Sequence, residues 1–184
     1  AHLYPLNKIY ETQIQWTDSY ALRSLHYAQE AVNGEQRVHA LLKTYLMPYS
    51  LLGGCRAKVR LNGEECSLQY LNLLDQHDYV ASQIDFRRVR SIFEIGGGFG
   101  ANVHLLLENY PSIRKIAYLD IPPNLYIGTE YLRAFYGDAV CDFRELRRRQ
   151  RIRFSPEPHL EILCMAPWQV EQFDDTMDVF MNAH

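Results

Sequence analysis

Between Ser91 and Gly100 the chain reads Ser-Ile-Phe-Glu-Ile-Gly-Gly-Gly-Phe-Gly. An apolar run carries one acid, Glu94, and glycines then recur at Gly96, Gly98 and Gly100. Further on, the run Ile116-Ala117-Tyr118-Leu119 closes on a second acid, Asp120. Residues of these types at this spacing make a small-molecule crevice at the carboxyl ends of two strands. The glycines let a ligand approach the backbone without meeting a Cβ, and the acid after the second strand can hold a ribose.

The glycines alone leave two ligands open. Gly96-Gly97-Gly98-Phe99-Gly100-Ala101 also satisfies the dinucleotide fingerprint G-x-G-x-x-A, which would make this an NAD(P)-binding oxidoreductase-type domain. Glu94 favours the other ligand. A carboxylate two residues before the first glycine repels a pyrophosphate and attracts a cation. S-adenosyl-L-methionine (SAM) carries an ammonium, a sulfonium and a ribose but no phosphate, so it is the expected cofactor. Its expected contacts are Glu94, Gly96, Gly98, Gly100 and Asp120, with Ile121 beside the last.

The elements that must position these residues can be read around them. Val103, Leu106, Leu107 and Tyr110 fall at i, i+3, i+4 and i+7, which predicts a helix that opens at the glycines, packs one face on a sheet and ends at Pro111. Pro122 and Pro123 start a second helix through Tyr136, with Leu125, Tyr131, Leu132 and Phe135 toward the core and Gly137 as its stop. Leu160 to Cys164 reads as a third strand. Its exit loop, Met165-Ala166-Pro167, offers an adenine apolar or backbone contacts. Val179, Phe180 and Met181 read as a fourth strand, with Asp178 before it and Asn182 and His184 after it. The predicted fold class is α/β, a Rossmann-like sheet.

This pattern resembles the class I SAM-dependent methyltransferases, whose motif I looks like Glu94-Ile-Gly-Gly-Gly-Phe-Gly100. Phe93 to Gly100, Tyr118-Leu-Asp-Ile-Pro-Pro-Asn-Leu, Tyr131-Leu and Asp178-Val-Phe-Met-Asn-Ala-His184 together resemble the sugar O-methyltransferase family over roughly the second half of the chain. The resemblance implies methyl transfer to a hydroxyl of a sugar or glycosylated small molecule, with Asn182 shaping the substrate edge of the cofactor pocket. It also implies a Ser and an acid beyond His184, and three further strands. The chain starts at Ala1 rather than Met. It is therefore read as a piece truncated after strand four of a seven-stranded sheet, and a non-catalytic methyltransferase half is the alternative to an active enzyme.

His184 is the candidate general base. Imidazole titrates near neutrality, and methylating a hydroxyl requires a proton to leave as the methyl transfers. An unordered chain end is the competing reading. His104 is expected on a helix surface, and His26, His39, His77 and His159 lack the spacing of a metal site.

Composition narrows the partners. A formal charge of −3 argues against broad nucleic-acid binding. No apolar run reaches the roughly 20 residues a bilayer needs, and the first ten residues lack the apolar core of a signal peptide. Cys55, Cys66, Cys141 and Cys164 have no C-x-x-C spacing and read as reduced thiols of a cytoplasmic protein. The arginines from Arg144 to Arg153 read as a solvated segment, with an anion-binding patch as the alternative.

Two domains are expected: a mainly helical cap region over 1–88 and the SAM-binding domain over 89–184. In the first, Tyr20, Leu22, Leu25, Tyr27 and Ala28 suggest one helix, broken at Asn33-Gly34. Val38, Leu41, Leu42 and Tyr45 suggest another, ended near Pro48. After the breaker Gly53-Gly54, Ala57 to Leu61 and the stretch from Glu64 flank Asn62-Gly63, a hairpin signature. Ser67 to Leu74 and Tyr79 to Phe86 read as short helices. This region suits a substrate lid or a homo-oligomer contact, or simply covers sheet edges.

Overall fold

The computed structural model describes residues 34–46, 58–61 and 64–182. The chain divides into two compact units, Ala1–Val80 and Ala81–His184.

In the first unit, α1 spans Gly34–Thr44, where the Val38, Leu41, Leu42 and Tyr45 spacing predicts a helix. Strands β1 (Lys58–Leu61) and β2 (Glu64–Ser67) pair antiparallel, with Leu61 opposite Glu64. That register suits a two-residue connection, although Asn62-Gly63 itself lies outside the described residues. So do the expected helix over residues 20–28, the breaker Gly53-Gly54, and Cys55. The two short helices expected after the hairpin are corrected. One helix, α2, runs Leu68–Ala81, and a single 3-10 turn covers Phe86–Arg88. No glycine or proline interrupts residues 68–81, so nothing stops the first helix at Leu74. Leu41, Tyr70, Leu71 and Leu74 are buried. The Tyr45 hydroxyl donates to Asp78 Oδ1 at 2.9 Å. Burial pushes the His77 imidazole down to about 4.

The second unit is built on a parallel sheet of five strands in the order β5-β6-β4-β3-β7. They are β3 (Ser91–Ile95), β4 (Lys115–Leu119), β5 (Val140–Cys141), β6 (Glu161–Met165) and β7 (Val179–Asn182). The α/β expectation holds. Strand β5 is an addition to the four expected strands, and β6 begins one residue later than predicted. Two residues are too few to show a period, so β5 leaves no mark on the apolar pattern.

Helices α3 (Ala101–Asn109) and α4 (Pro122–Tyr136) follow β3 and β4, and the short α5 spans Phe143–Leu146. Side chains alternate across the sheet. Phe93, Ala117 and Leu163 stand in one row, in a core with Leu119, Leu146, Ile152 and Met165. Glu94, Tyr118 and Cys164 form a row on the opposite face. That face is covered by α3 and α4: Asn102 bonds Glu94, and Gly128 lies against Tyr118.

Asp178 fastens β7 to the start of β3. Its Oδ2 accepts the N–H groups of Arg90 and Ser91 at 2.8 and 3.0 Å, and its own N–H donates to Ser91 Oγ at 2.9 Å. In the arginine run, Arg151 and Arg153 pair with Asp174 at the surface, while Arg144 pairs with the buried carboxylate of Asp142. The exposed Asp174 pairs contribute little to stability.

Candidate functional site

Because β3 and β4 are parallel with Ile95 beside Leu119, the glycine loop and Asp120 leave the sheet at the same end. Gly96 N–H donates to Leu119 O at 2.8 Å, which ties the loop's first residue to β4. Gly96, Gly98 and Gly100 have φ of 73°, 62° and 89°, so the alternate glycines carry the turn. Asp120 is buried at the tip of β4. Its Oδ2 accepts Gly98 N–H at 2.8 Å and its Oδ1 accepts Ile121 N–H at 2.7 Å. A Cβ at Gly98 would meet nothing within 4 Å, so this turn of the loop faces open space.

Glu94 lies behind the loop and is fully buried. Its Oε1 accepts from Asn102 Nδ2 at 2.8 Å, while Oε2 has no partner among the described residues. Burial pushes the carboxyl up to about 7, the Asn102 bond opposes this, and the Asp120 charge adds to it. A Cβ on Gly97 would stand 2.9 Å from Glu94 Cδ and 2.7 Å from Tyr118 Cε2, so the carboxyl sits directly under the loop backbone. The Tyr118 hydroxyl donates to Gly98 O from the same side.

The other expected contacts are placed as follows. Ile121 caps the start of α4 and is 56% exposed at the strand end. Met165 and Ala166 are fully buried. Met165 O accepts from Asp120 N–H at 3.3 Å, and Ala166 N–H donates to Gln169 Oε1 at 2.8 Å. Asn182 ends β7 beside Ile95 and is exposed. His184 lies outside the described residues. The fold thus brings Gly96, Gly98, Gly100, Asp120, Ile121 and Asn182 to one end of the sheet, with Glu94 beneath. Sequence reasoning missed Tyr118 as more than core, and Trp168, 61% exposed just after β6. A buried tyrosine two residues before the acid was the available signal for the first.

The expectation that His104 lies on a helix surface is corrected: it is 1% exposed. Its Nδ1 is 2.7 Å from the Tyr131 hydroxyl, its Nε2 is 3.6 Å from Glu108 Oε1, and its ring packs 4.3 Å from that of Phe135. Helix α4 crosses α3 with aromatic side chains that supply the imidazole with partners, which a single-helix pattern cannot reveal. Burial lowers the His104 pKa.

Among the described residues, no three His, Cys, Asp or Glu side chains are grouped to hold a metal ion, and no helix is long and apolar enough to cross a membrane.

Residues 28–143 match the O-methyltransferase domain family, which is well over half of the chain. None of the curated proteins matches it. Two solved structures are similar. For the mitomycin 7-O-methyltransferase MmcR the identity is 17% and the TM-score 0.37, over 81% of this chain and 39% of that one. For the S-adenosylmethionine-dependent methyltransferase SibL in its apo form they are 18% and 0.38, over 95% and 48%. The chain therefore spans less than half the length of either.

Proposed function

The chain belongs to the O-methyltransferase domain family, and on that premise we propose that it transfers a methyl group from SAM to a hydroxyl of a small molecule, a sugar or glycosylated compound. The observation that carries the reading is the Gly98–Asp120 junction above a buried Glu94. SAM supplies a methyl group already activated on a sulfonium.

The residues present fit that cofactor. The loop turns open backbone toward the crevice at Gly98, where a phosphate-free ligand can lie close. Each Asp120 oxygen accepts one backbone bond and Oδ1 also accepts from Asn124 Nδ2 at 3.4 Å, so of the carboxylate's about four lone-pair sites one remains for a ribose hydroxyl, and a second if the long Asn124 bond yields. Glu94 acts through its field rather than by contact: its carboxyl, raised to about 7, ionises above that pH, and a bound ammonium and sulfonium favour that ionised form where a pyrophosphate would disfavour it. Ile121 supplies an apolar surface to the adenine, Met165 and Ala166 support that wall from behind, and Asn182 borders the acceptor. His184 is the general base. As the carbon–oxygen bond forms and the carbon–sulfur bond breaks, its neutral imidazole accepts the hydroxyl proton. Rate comes chiefly from holding the acceptor oxygen in line.

On this reading residues 89–184 are the SAM-binding domain and residues 1–88 a cap region suited to a substrate lid or a homo-oligomer contact. The four scattered cysteines support a cytoplasmic setting. The reading is tested by incubating the protein with SAM and a panel of sugars and glycosylated compounds and following methylation by mass spectrometry. A methylated sugar hydroxyl is expected. Methylation confined to other hydroxyls would overturn the sugar assignment, and SAM binding without any transfer would favour a non-catalytic half.

A further inference from the structure

Resting on the reading that the glycine loop holds SAM, we propose that Tyr118 and Gly128 are a positioning pair that sets the Gly98 peptide and thereby cofactor affinity. Tyr118 and Asp120 are two residues apart at the end of β4 and point to the same side. Between them they hold both polar groups of Gly98: Asp120 accepts its N–H, and the Tyr118 hydroxyl donates to its carbonyl. The one residue whose φ of 62° and open side mark the ligand approach is thus fastened from one strand at both ends.

The phenol reaches the loop because two neighbours lack side chains. On the α4 side, a Cβ at Gly128 would stand 2.8 Å from Tyr118 Cζ and 3.1 Å from Gly98 O. On the loop side, a Cβ at Gly97 would stand 2.7 Å from Tyr118 Cε2. A glycine in the middle of a 15-residue helix weakens it, so a space requirement is the reason for Gly128. Burial, with the charges of Asp120, Cys164 and Glu94 behind it, raises the Tyr118 pKa, so the hydroxyl stays protonated and remains a donor. Tyr118 touches neither cofactor nor acceptor. It acts through Gly98.

The test uses the whole chain with Tyr118→Phe and Gly128→Ala. Two readings are taken on each: the SAM dissociation constant by calorimetry, and amide hydrogen exchange at Gly98 against β6. Tyr118→Phe should weaken SAM about tenfold, the size of one net hydrogen bond. It should speed exchange at Gly98 while β6 is unchanged, a local signature that general destabilisation would not produce. Gly128→Ala should do the same, because its Cβ displaces the phenol and crowds Gly98 O. Unchanged exchange at Gly98 in Tyr118→Phe would overturn the proposal, as would unchanged exchange there in Gly128→Ala. If the unmodified protein binds no SAM, the cofactor reading fails, and exchange at Gly98 still decides whether the pair positions the loop.

Discussion

Asp120 Oδ2 lies 2.8 Å from Gly98 N, so the acid that ends β4 is also the anchor of the glycine loop that leaves β3. Removing it takes away a ribose acceptor and releases the loop together. Asp120→Ala should weaken SAM by roughly 1.5–3 kcal/mol, the range for hydrogen bonds to charged groups. Calorimetric titration reads this directly, and an unchanged dissociation constant would remove Asp120 from the site.

Gly98 has φ 62° and no heavy atom within 4 Å of where its Cβ would lie. A valine there has a Cβ clear of the described residues but occupies the approach path, and pays about 1–2 kcal/mol for the left-handed backbone. Gly98→Val should therefore fold, melt a few degrees lower and lose SAM binding. Retained affinity in the folded variant would place the cofactor elsewhere.

Glu94 links the site to pH. Burial pushes its carboxyl up to about 7 in the fold from an ordinary value of 4.5. Between those values the folded protein holds a proton that the unfolded chain has released, so this group's contribution to stability falls as pH rises through the window and is level above it. Glu94→Gln removes the effect. Its advantage in stability over the unmodified protein should open from about pH 4.5 and reach roughly 3 kcal/mol near pH 7, at about 1.4 kcal/mol per pKa unit. His104, whose lowered pKa gives the opposite slope, is common to both proteins and drops out of the difference. Melting curves across pH that stay parallel would show that Glu94 is not buried against its charge.

Asp178 should matter to β7 and to the start of β3, which it joins. Its carboxyl is held below the usual range, first by the Arg90 backbone bond and then by those to Ser91. Asp178→Ala should speed amide exchange over residues 179–182 and leave β4 protected. In the unmodified protein the same strand should loosen only as pH falls below the ordinary carboxylate value, where the depressed group finally protonates. Equal exchange in the variant would mean that backbone pairing with β3 holds the strand unaided.

Much of this was legible in the chain. Spacing alone located α3 and α4, because Val103, Leu106 and Tyr110 repeat with the helix and Pro122 and Gly137 punctuate it. The alternate glycines and Asp120 marked two turns that the structure brings together at one end of the sheet, since a tight turn needs such glycines. What stayed hidden depends on contacts between elements. His104 reads as polar surface until Tyr131 and Phe135 of another helix are laid over it. Gly128 reads as a weak point of a helix until Tyr118 is seen beneath it. Glu94 reads as a direct ligand until Gly97 is found to cover it. Two-residue β5 carries no period, and its pairing to β6 is visible only in three dimensions.

The most direct test of the account is a pair of calorimetric titrations of the protein, one with SAM and one with NADH. The glycine loop with Glu94 beneath it predicts saturable heat with SAM, lost in Gly98→Val, and none with NADH. Heat with NADH and none with SAM would contradict the account and make the loop a dinucleotide site.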